Sequence, residues 1–342
     1  MSPLLETPQP DFRHLVHMTD ERATFEHALY RDPRPEHGYC TDDMARVLVV
    51  AAREPDGASA VHELELLSLR FVHDALDRQG KCRNRMNRRG TWEDRAALND
   101  CWGRSIWGLG TAAARSDDHL IRHLATSALG RSMTQRSTWP KAMAFAALGA
   151  AEVLSVDPGN TSARALLSDA ADAMTGPGPD AVWPWPERRL TYANATLPEA
   201  MIAAGSALGR PALLRRGLDL LEWLLDRESP RGYLSVTPVG GSGPGDHGPG
   251  FDQQPIEVAA LADACARAGT VDGNRRWADG VTAAADWFGG TNDEGVVMWD
   301  PDTGGAFDGL ERGGANRNQG AESTLALLST LQHARSVASV LQ

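Results

Sequence analysis

Six times along the chain, a short head crowded with polar residues runs into a helix-length stretch that is apolar on every side. The six read CTDDMARVLVVAA, LNDCWGRSIWGLG, RSTWPKAMAFAALG, TYANATLPEAMIAAG, FDQQPIEVAALADA and NRNQGAESTLALLS, starting near residues 41, 99, 138, 192, 252 and 318. A helix that is apolar all round belongs to an interior layer. The stretches between them keep their charge on one face, as with Arg215, Arg216, Asp219 and Glu222 in 210–227, and fit an outer layer. The mean spacing, about 55 residues, is that of a helix pair with its connections, and repetition of such units marks a repeat architecture.

Helical periodicity predicts helices near Thr19–Tyr30, Thr41–Glu54, Ala58–Arg78, Asn99–Arg115, Asp117–Arg131 and Ser137–Ser155. A second set is predicted near Pro158–Thr175, Tyr192–Leu208, Pro211–Arg227, Gln254–Gly269, Val271–Phe288 and Asn318–Leu341. Short connections alternate with long ones rich in Gly, Pro and Trp, which gathers the long loops at one end of stacked helix pairs. Six inner and six outer helices close into an all-α (α/α)6 toroid; an open solenoid and an irregular bundle are the alternatives. One domain over 1–342 is expected, with 1–18 as an N-terminal extension.

Composition narrows the partners. A net charge of -11 repels phosphate backbones, so nucleic acid is not expected. The start of the chain has no basic segment followed by an apolar run, and the longest aliphatic stretch is Val47 to Ala52. No membrane partner and a cytoplasmic location are expected. The four cysteines lack paired CxxC spacing and read as free thiols. Ten Trp against seven Phe and four Tyr tilts towards a carbohydrate ligand, since Trp offers an apolar face with a polar edge.

The strings GYCTDD, DCWGR, FDQQPIE and NQGAES, set in this helix layout from about Thr19 onward, resemble the six-hairpin glycosidase superfamily of (α/α)6 barrel enzymes. The resemblance implies a carbohydrate cleft at the long-loop end, with carboxylates as catalysts and an oligosaccharide or glycoside as substrate. The same fold hosts sugar epimerases of the N-acylglucosamine 2-epimerase type, so fold alone does not decide the reaction.

Five acids are candidate catalysts. Asp42 and Asp43 open the first inner helix, where backbone N–H groups favour an ionised carboxylate and a base. Glu322 is expected about one turn into the last inner helix, where desolvation would make it a general acid. In a closed ring these helices are neighbours, so Asp43 and Glu322 should converge. Asp100 and Glu257 stand in reserve. For Asp100 a bland alternative is an i, i+4 pair with Arg104; for Glu257 it is a reciprocal cap around Gln254 and Pro255. Substrate contacts are expected from His37, Trp102, Arg104, Trp139, Lys141, Tyr192, Asn194, Asp252, Gln253, Gln254, Asn318 and Gln319. The Gly-rich segment 240–250 reads as a lid bordering the cleft, with His247 inside it.

No cofactor and no metal are expected. There is no HExxH, and a zinc site from Cys40 and Cys101 with His37 or Cys82 is not demanded by spacing. A sugar epimerase or isomerase is the second reading, weakened because the heads of the fourth to sixth inner helices offer no histidine. A non-catalytic sugar-binding toroid is the third.

Overall fold

A computed structural model describes residues 8–55, 58–174, 182–246 and 250–341. His247 lies outside the described residues. Among the described residues, twelve helices run in chain order: α1 (Arg13–His17), α2 (Thr41–Ala52), α3 (Ser59–Ala75), α4 (Asp100–Arg115), α5 (His119–Ser132) and α6 (Pro140–Val156) come first. They are followed by α7 (Thr161–Ala173), α8 (Thr196–Ala207), α9 (Pro211–Glu228), α10 (Pro255–Asp272), α11 (Arg275–Phe288) and α12 (Ala321–Leu341). Helices α2, α4, α6, α8, α10 and α12 form the inner ring, each touching the next, and α12 closes back on α2. The outer helices α3, α5, α7, α9 and α11 each pack on the inner helix before them.

Burial follows the pattern the sequence dictates. Every residue from Cys101 to Ala113 in α4 and from Lys141 to Leu154 in α6 is buried. In α9 the buried set is a single stripe, Leu213, Gly217, Leu220, Leu221, Leu224, Leu225 and Glu228. Helices α4 and α6 approach closely because glycines face backbone: a Cβ on Gly103 would strike the Ala142 carbonyl, and one on Gly149 would strike that of Ile106.

The sixth outer position differs from expectation. The predicted helix Thr19–Tyr30 is absent; that stretch forms bridges and ends in the small antiparallel hairpin β1 (Ala28–Leu29) and β2 (Asp32–Pro33). The single-turn α1 packs on α12 instead. Residues 8–18 are therefore not a free extension: Phe12, Leu15 and Met18 are buried in the core. Strand β3 (Tyr39–Cys40) pairs with β4 (Arg85–Met86), and β5 (Gly309–Glu311) with β6 (Gly314–Asn316). The first pair joins the loop before α2 to the loop after α3, and the second is a hairpin within the loop before α12.

Two other boundaries moved for local reasons. Helix α10 runs on to Asp272 and stops at Gly273, whose left-handed φ of 66° ends a helix at little cost. Helix α8 starts only at Thr196, which places Pro198 in its first turn, where the missing N–H costs nothing. No described helix is long and apolar enough to cross a membrane.

Candidate active site

The inner helices begin without caps. Cys40, Asn99, Trp139, Ala195 and Gln254 stand at the N-cap positions of α2, α4, α6, α8 and α10, and none caps with its side chain. Three outer helices are capped, by Asp118, Asn160 and Asn274. Uncapped N-termini carry partial positive charge. First-turn acids answer it on five inner helices: Asp42 and Asp43, Asp100, Glu199, Glu257 and Glu322.

Side chains tie these heads into one mouth. Arg46 Nη2 donates to Asp43 Oδ1 at 2.6 Å and pairs with Glu322 Oε2 at 2.9 Å, joining α2 to α12. Two oxygens held at 2.6 and 2.9 Å by one nitrogen lie no more than 5.5 Å apart. Arg104 Nε faces Asp42 Oδ1 at 3.4 Å, joining α4 to α2. The Tyr192 hydroxyl donates to Asp100 Oδ2 at 2.6 Å. Lys141 Nζ donates to the Tyr192 carbonyl and sits 5.0 Å from the centre of its ring.

Asp43 and Glu322 are driven apart in acidity. Burial pushes Asp43 up to about 7; Arg46 opposes this, while Glu322, Glu26 and Asp42 reinforce it. Enclosure alone would raise Glu322 too, but Arg46 and Arg104 outweigh it and hold the carboxyl below its ordinary value. Glu322 keeps 42% of its side-chain surface open to the cleft, whereas Asp43 keeps 3%. The sequence reading had the acidities the other way round. Helix α12 begins at Ala321, so Glu322 lies in the first turn rather than a turn inside, and the guanidinium of Arg46 stands beside it.

Other expected site residues fall into three groups. Asp42, Asp100 and Trp139 line one cleft of about 320 Å³, with Asn84, Asp94 and Asn99. Tyr192, Gln254 and Glu257 line another of about 240 Å³, beside Thr237 and Pro238. Of the remaining residues, Trp102, Arg104, Lys141, Asn194, Gln253 and Gln319 are buried in the fold, while His37 and Asp252 are not. Trp102 is fully buried, so its ring offers no face to a sugar. The expected Asp100–Arg104 pair does not form, because Tyr192 takes Asp100 and Arg104 lies over the Phe145 ring at 4.3 Å.

Glu257 is neither exposed nor part of a reciprocal cap. It accepts from the Ala193 and Asn194 backbone N–H groups and from Asn194 Nδ2, which also buries Asn194. Gln253 is fully buried and donates to Asp293 Oδ2 at 2.6 Å, a structural role. Asn318 accepts from the Tyr30 N–H at 2.9 Å and Gln319 from Thr303 Oγ1 at 2.7 Å, which commits both to bracing the loop before α12. Asp252 is half-buried, with its acidity pushed to about 6 by burial and by Glu311 and Asp308. His37 sits in the turn Pro35–His37, its ring edge-on to His27 at 5.0 Å.

The sequence reading missed Arg46, Glu26, His27 and Asn84. Arg46 left a signal: a charge inside MARVLVVAA needs a partner, and first-turn acids are the nearest on offer. Glu26 and His27 left none, since their segment was read as helix. Both carboxylates of the group Glu26, Cys40 and Asp43, whose ligand atoms lie within 4.8 Å of one another, are already paired, with Arg85 and Arg46 respectively. Cys40 does not meet Cys101: its thiol faces Asn84 and Asp42, while Cys101 lies against Cys82.

Below the mouth the lumen is plugged. Trp107, Phe145, Leu148, Ile256 and Leu325 leave a cavity of about 40 Å³, enough for roughly one water at ~30 Å³. At the far end a buried network links Arg53, Asp263, Ser329 and His333, and a second runs from Arg115 and Glu152 through Arg267 to Glu199 in the first turn of α8.

No family model and no curated protein matches the chain in sequence. Solved structures match in shape. A sugar epimerase from a ruminal bacterium superposes with a TM-score of 0.70 at 12% identity, covering 95% of each chain. The cellobiose 2-epimerase of Spirochaeta thermophila gives 0.68 at 13% identity, covering 96% of this chain and 94% of that one. An inactive variant of an alpha-1,6-mannanase from Salegentibacter, with two consecutive aspartates replaced, gives 0.66 at 10% identity, covering 95% and 96%. With its ring of six inner helices and its long-loop mouth, the chain has the (α/α)6 toroid fold of these enzymes.

Proposed function

We propose that this protein is a carbohydrate-active enzyme that breaks a glycosidic bond at the barrel mouth, with Asp43 as proton donor and Glu322 as the ionised partner. The observation that carries the reading is the shared Arg46, which holds two carboxyls whose surroundings push their acidities in opposite directions. Such divergence is how one site runs acid and base chemistry together. With one oxygen of each no more than 5.5 Å apart, the two carboxyls are near enough for the retaining arrangement, which places them roughly 5–5.5 Å apart. Glu322 then attacks the anomeric carbon while Asp43 protonates the departing oxygen. Water releases the sugar with Asp43 as base. The mannanase of like fold loses activity on replacement of two consecutive aspartates, and this chain sets Asp42 and Asp43 side by side at the head of α2.

The test is incubation with aryl glycosides and with gluco- and manno-oligosaccharides, following reducing ends and product anomer by NMR. Release of sugar with retained configuration, lost in Asp43→Asn and Glu322→Gln, supports the reading; turnover unchanged in both variants refutes it.

Epimerisation of a reducing sugar is the second reading. Arg46 Nη1 and Arg104 Nε are buried donors without hydrogen-bond partners, suited to an enediolate oxygen, and His27 lies close enough to help hold the Glu322 carboxyl below its ordinary pKa. Solvent deuterium entering C2 of a free aldose, without bond cleavage, would favour it.

A further inference from the structure

The cleft beside the Asp43–Glu322 centre has features that capping and packing do not explain. Trp139 occupies the N-cap position of α6, where Ser, Thr, Asp or Asn would stabilise the helix. The Ser137 hydroxyl accepts the Trp139 N–H, and the indole stands 61% exposed over the cleft. The opposite wall is rigid. Lys141, two residues into the same helix, holds the Tyr192 carbonyl, and Tyr192 holds Asp100 Oδ2, which orients the other Asp100 oxygen. Asp94 uses its carboxylate on the Asn84 and Arg85 N–H groups and so fixes Asn84 at the rim. Asn99, at the N-cap of α4, makes no capping bond. Asp42 forms the border with the catalytic centre, and behind it Arg104, 5% exposed, aims an unpartnered Nε at the Asp42 carboxylate.

We propose that this cleft, floored by Asp42, Asn84 and Asp100 and faced by Trp139, is a second sugar subsite that seats the ring on the far side of the reacting bond. The proposal rests on reading the mouth as a sugar-processing site. Its volume of about 320 Å³ lies at the lower end of ligand pockets, about 300–1,000 Å³, and suits one ring rather than a long chain. Carboxylates and amides accept and donate to hydroxyls, while an indole face stacks on the apolar C–H face of a pyranose. Asp94 and Asp100 line the cleft with no lysine or arginine in the lining itself, and although Arg104 behind the wall offsets Asp42, the two remaining carboxylates disfavour uronates and sugar phosphates. The substrate class is therefore a neutral disaccharide or longer glycan.

The test titrates the full chain with neutral α- and β-linked gluco- and manno-disaccharides, with glucose and mannose, and with a glucuronate-containing disaccharide. Calorimetry and saturation-transfer NMR report binding. A neutral disaccharide is expected to bind more tightly than its monosaccharide. Trp139→Ala should remove about tenfold of that preference, and Trp139→Phe, which keeps a ring, should retain most of it. Failure of every neutral disaccharide to bind, an unchanged preference in Trp139→Ala, or tighter binding of the glucuronate sugar overturns the subsite. Its failure is separable from that of the catalytic reading. If Asp43→Asn is inactive while Trp139→Ala binds as wild type, only the subsite falls. If Asp43→Asn turns over normally while Trp139 still governs disaccharide binding, only the catalytic assignment falls.

Discussion

Asp43 and Glu322, from the first and last inner helices, bind the same nitrogen of Arg46, at 2.6 and 2.9 Å. One guanidinium thus closes the ring of helices and sets the electrostatics of both acids. Burial keeps a proton on Asp43 near neutrality, while Glu322, open to the cleft, stays ionised.

The pair predicts a pH profile. The proposed mechanism requires Asp43 protonated and Glu322 ionised. The basic limb should fall near pH 7, where Asp43 loses its proton. The acid limb should lie below the ordinary glutamate value of about 4.3. Glu322→Gln and Asp43→Asn should each lower kcat by at least about 10²-fold with the fold retained. Steady-state kinetics across pH 3–9 with circular dichroism of each variant is the check.

Arg46→Met should shift both limbs the same way. Removing the cation disfavours both carboxylates, so the acid and basic limbs both move up in pH. Stability should fall by about 1–3 kcal/mol, the cost of leaving the buried Asp43 carboxyl without its donor. Denaturant unfolding measures the loss. A basic limb that stays in place would mean that Asp43 does not set it.

Glu257→Ala should act on stability. Its carboxylate satisfies two backbone N–H groups and the Asn194 amide in the loop leading to α8. Each buried donor left unpaired costs about 1–3 kcal/mol. A clearly lower Tm than wild type is expected, with Glu257→Gln losing less because its carbonyl oxygen still accepts.

Glu228 gives a pH-dependent stability. It is buried at the end of α9, accepts from the Thr237 N–H and hydroxyl, and is pushed up to about 8 by burial and by Glu257. In the unfolded chain it ionises near 4.5. Between these values the folded state holds a proton that the unfolded state has released, so stability falls as pH rises from about 4.5 to about 8 and is flat above. Tm should drop less between pH 5 and pH 8 in Glu228→Gln than in wild type. Asp43 and Glu199, each raised to about 7, leave a residual slope of the same sign in the variant.

Gly149→Ala should destabilise the α4–α6 contact by about 1–3 kcal/mol or more, since the added Cβ meets the Ile106 carbonyl rather than a side chain that can rotate away. Thermal unfolding reads it directly, and a neutral result would show that the two helices can part.

What the sequence determined by itself was periodic. An all-round apolar helix must lie inside and a striped one outside, so layers, repeat number and the end that carries the long loops were legible in local composition. The polar heads marked the mouth because acids and amides gathered before an apolar helix must find partners where the helix begins, and Asp43, Asn194 and Glu257 do so there. The sixth outer helix was not legible. Residues 19–30 hold apolar residues at helical spacing, yet contacts with Tyr39, Met44 and the loop before α12 draw them into bridges. Individual roles also depended on distant partners. Nothing near Glu257 in sequence points to the Ala193 loop, and nothing near Trp102 distinguishes its buried ring from the exposed one of Trp139. The acidities of Asp43 and Glu322 were decided by tertiary structure alone. A carboxyl's proton affinity follows the charges and solvent around it, and here those come from Arg46 and Arg104 and from how deeply each helix head sits in the closed ring.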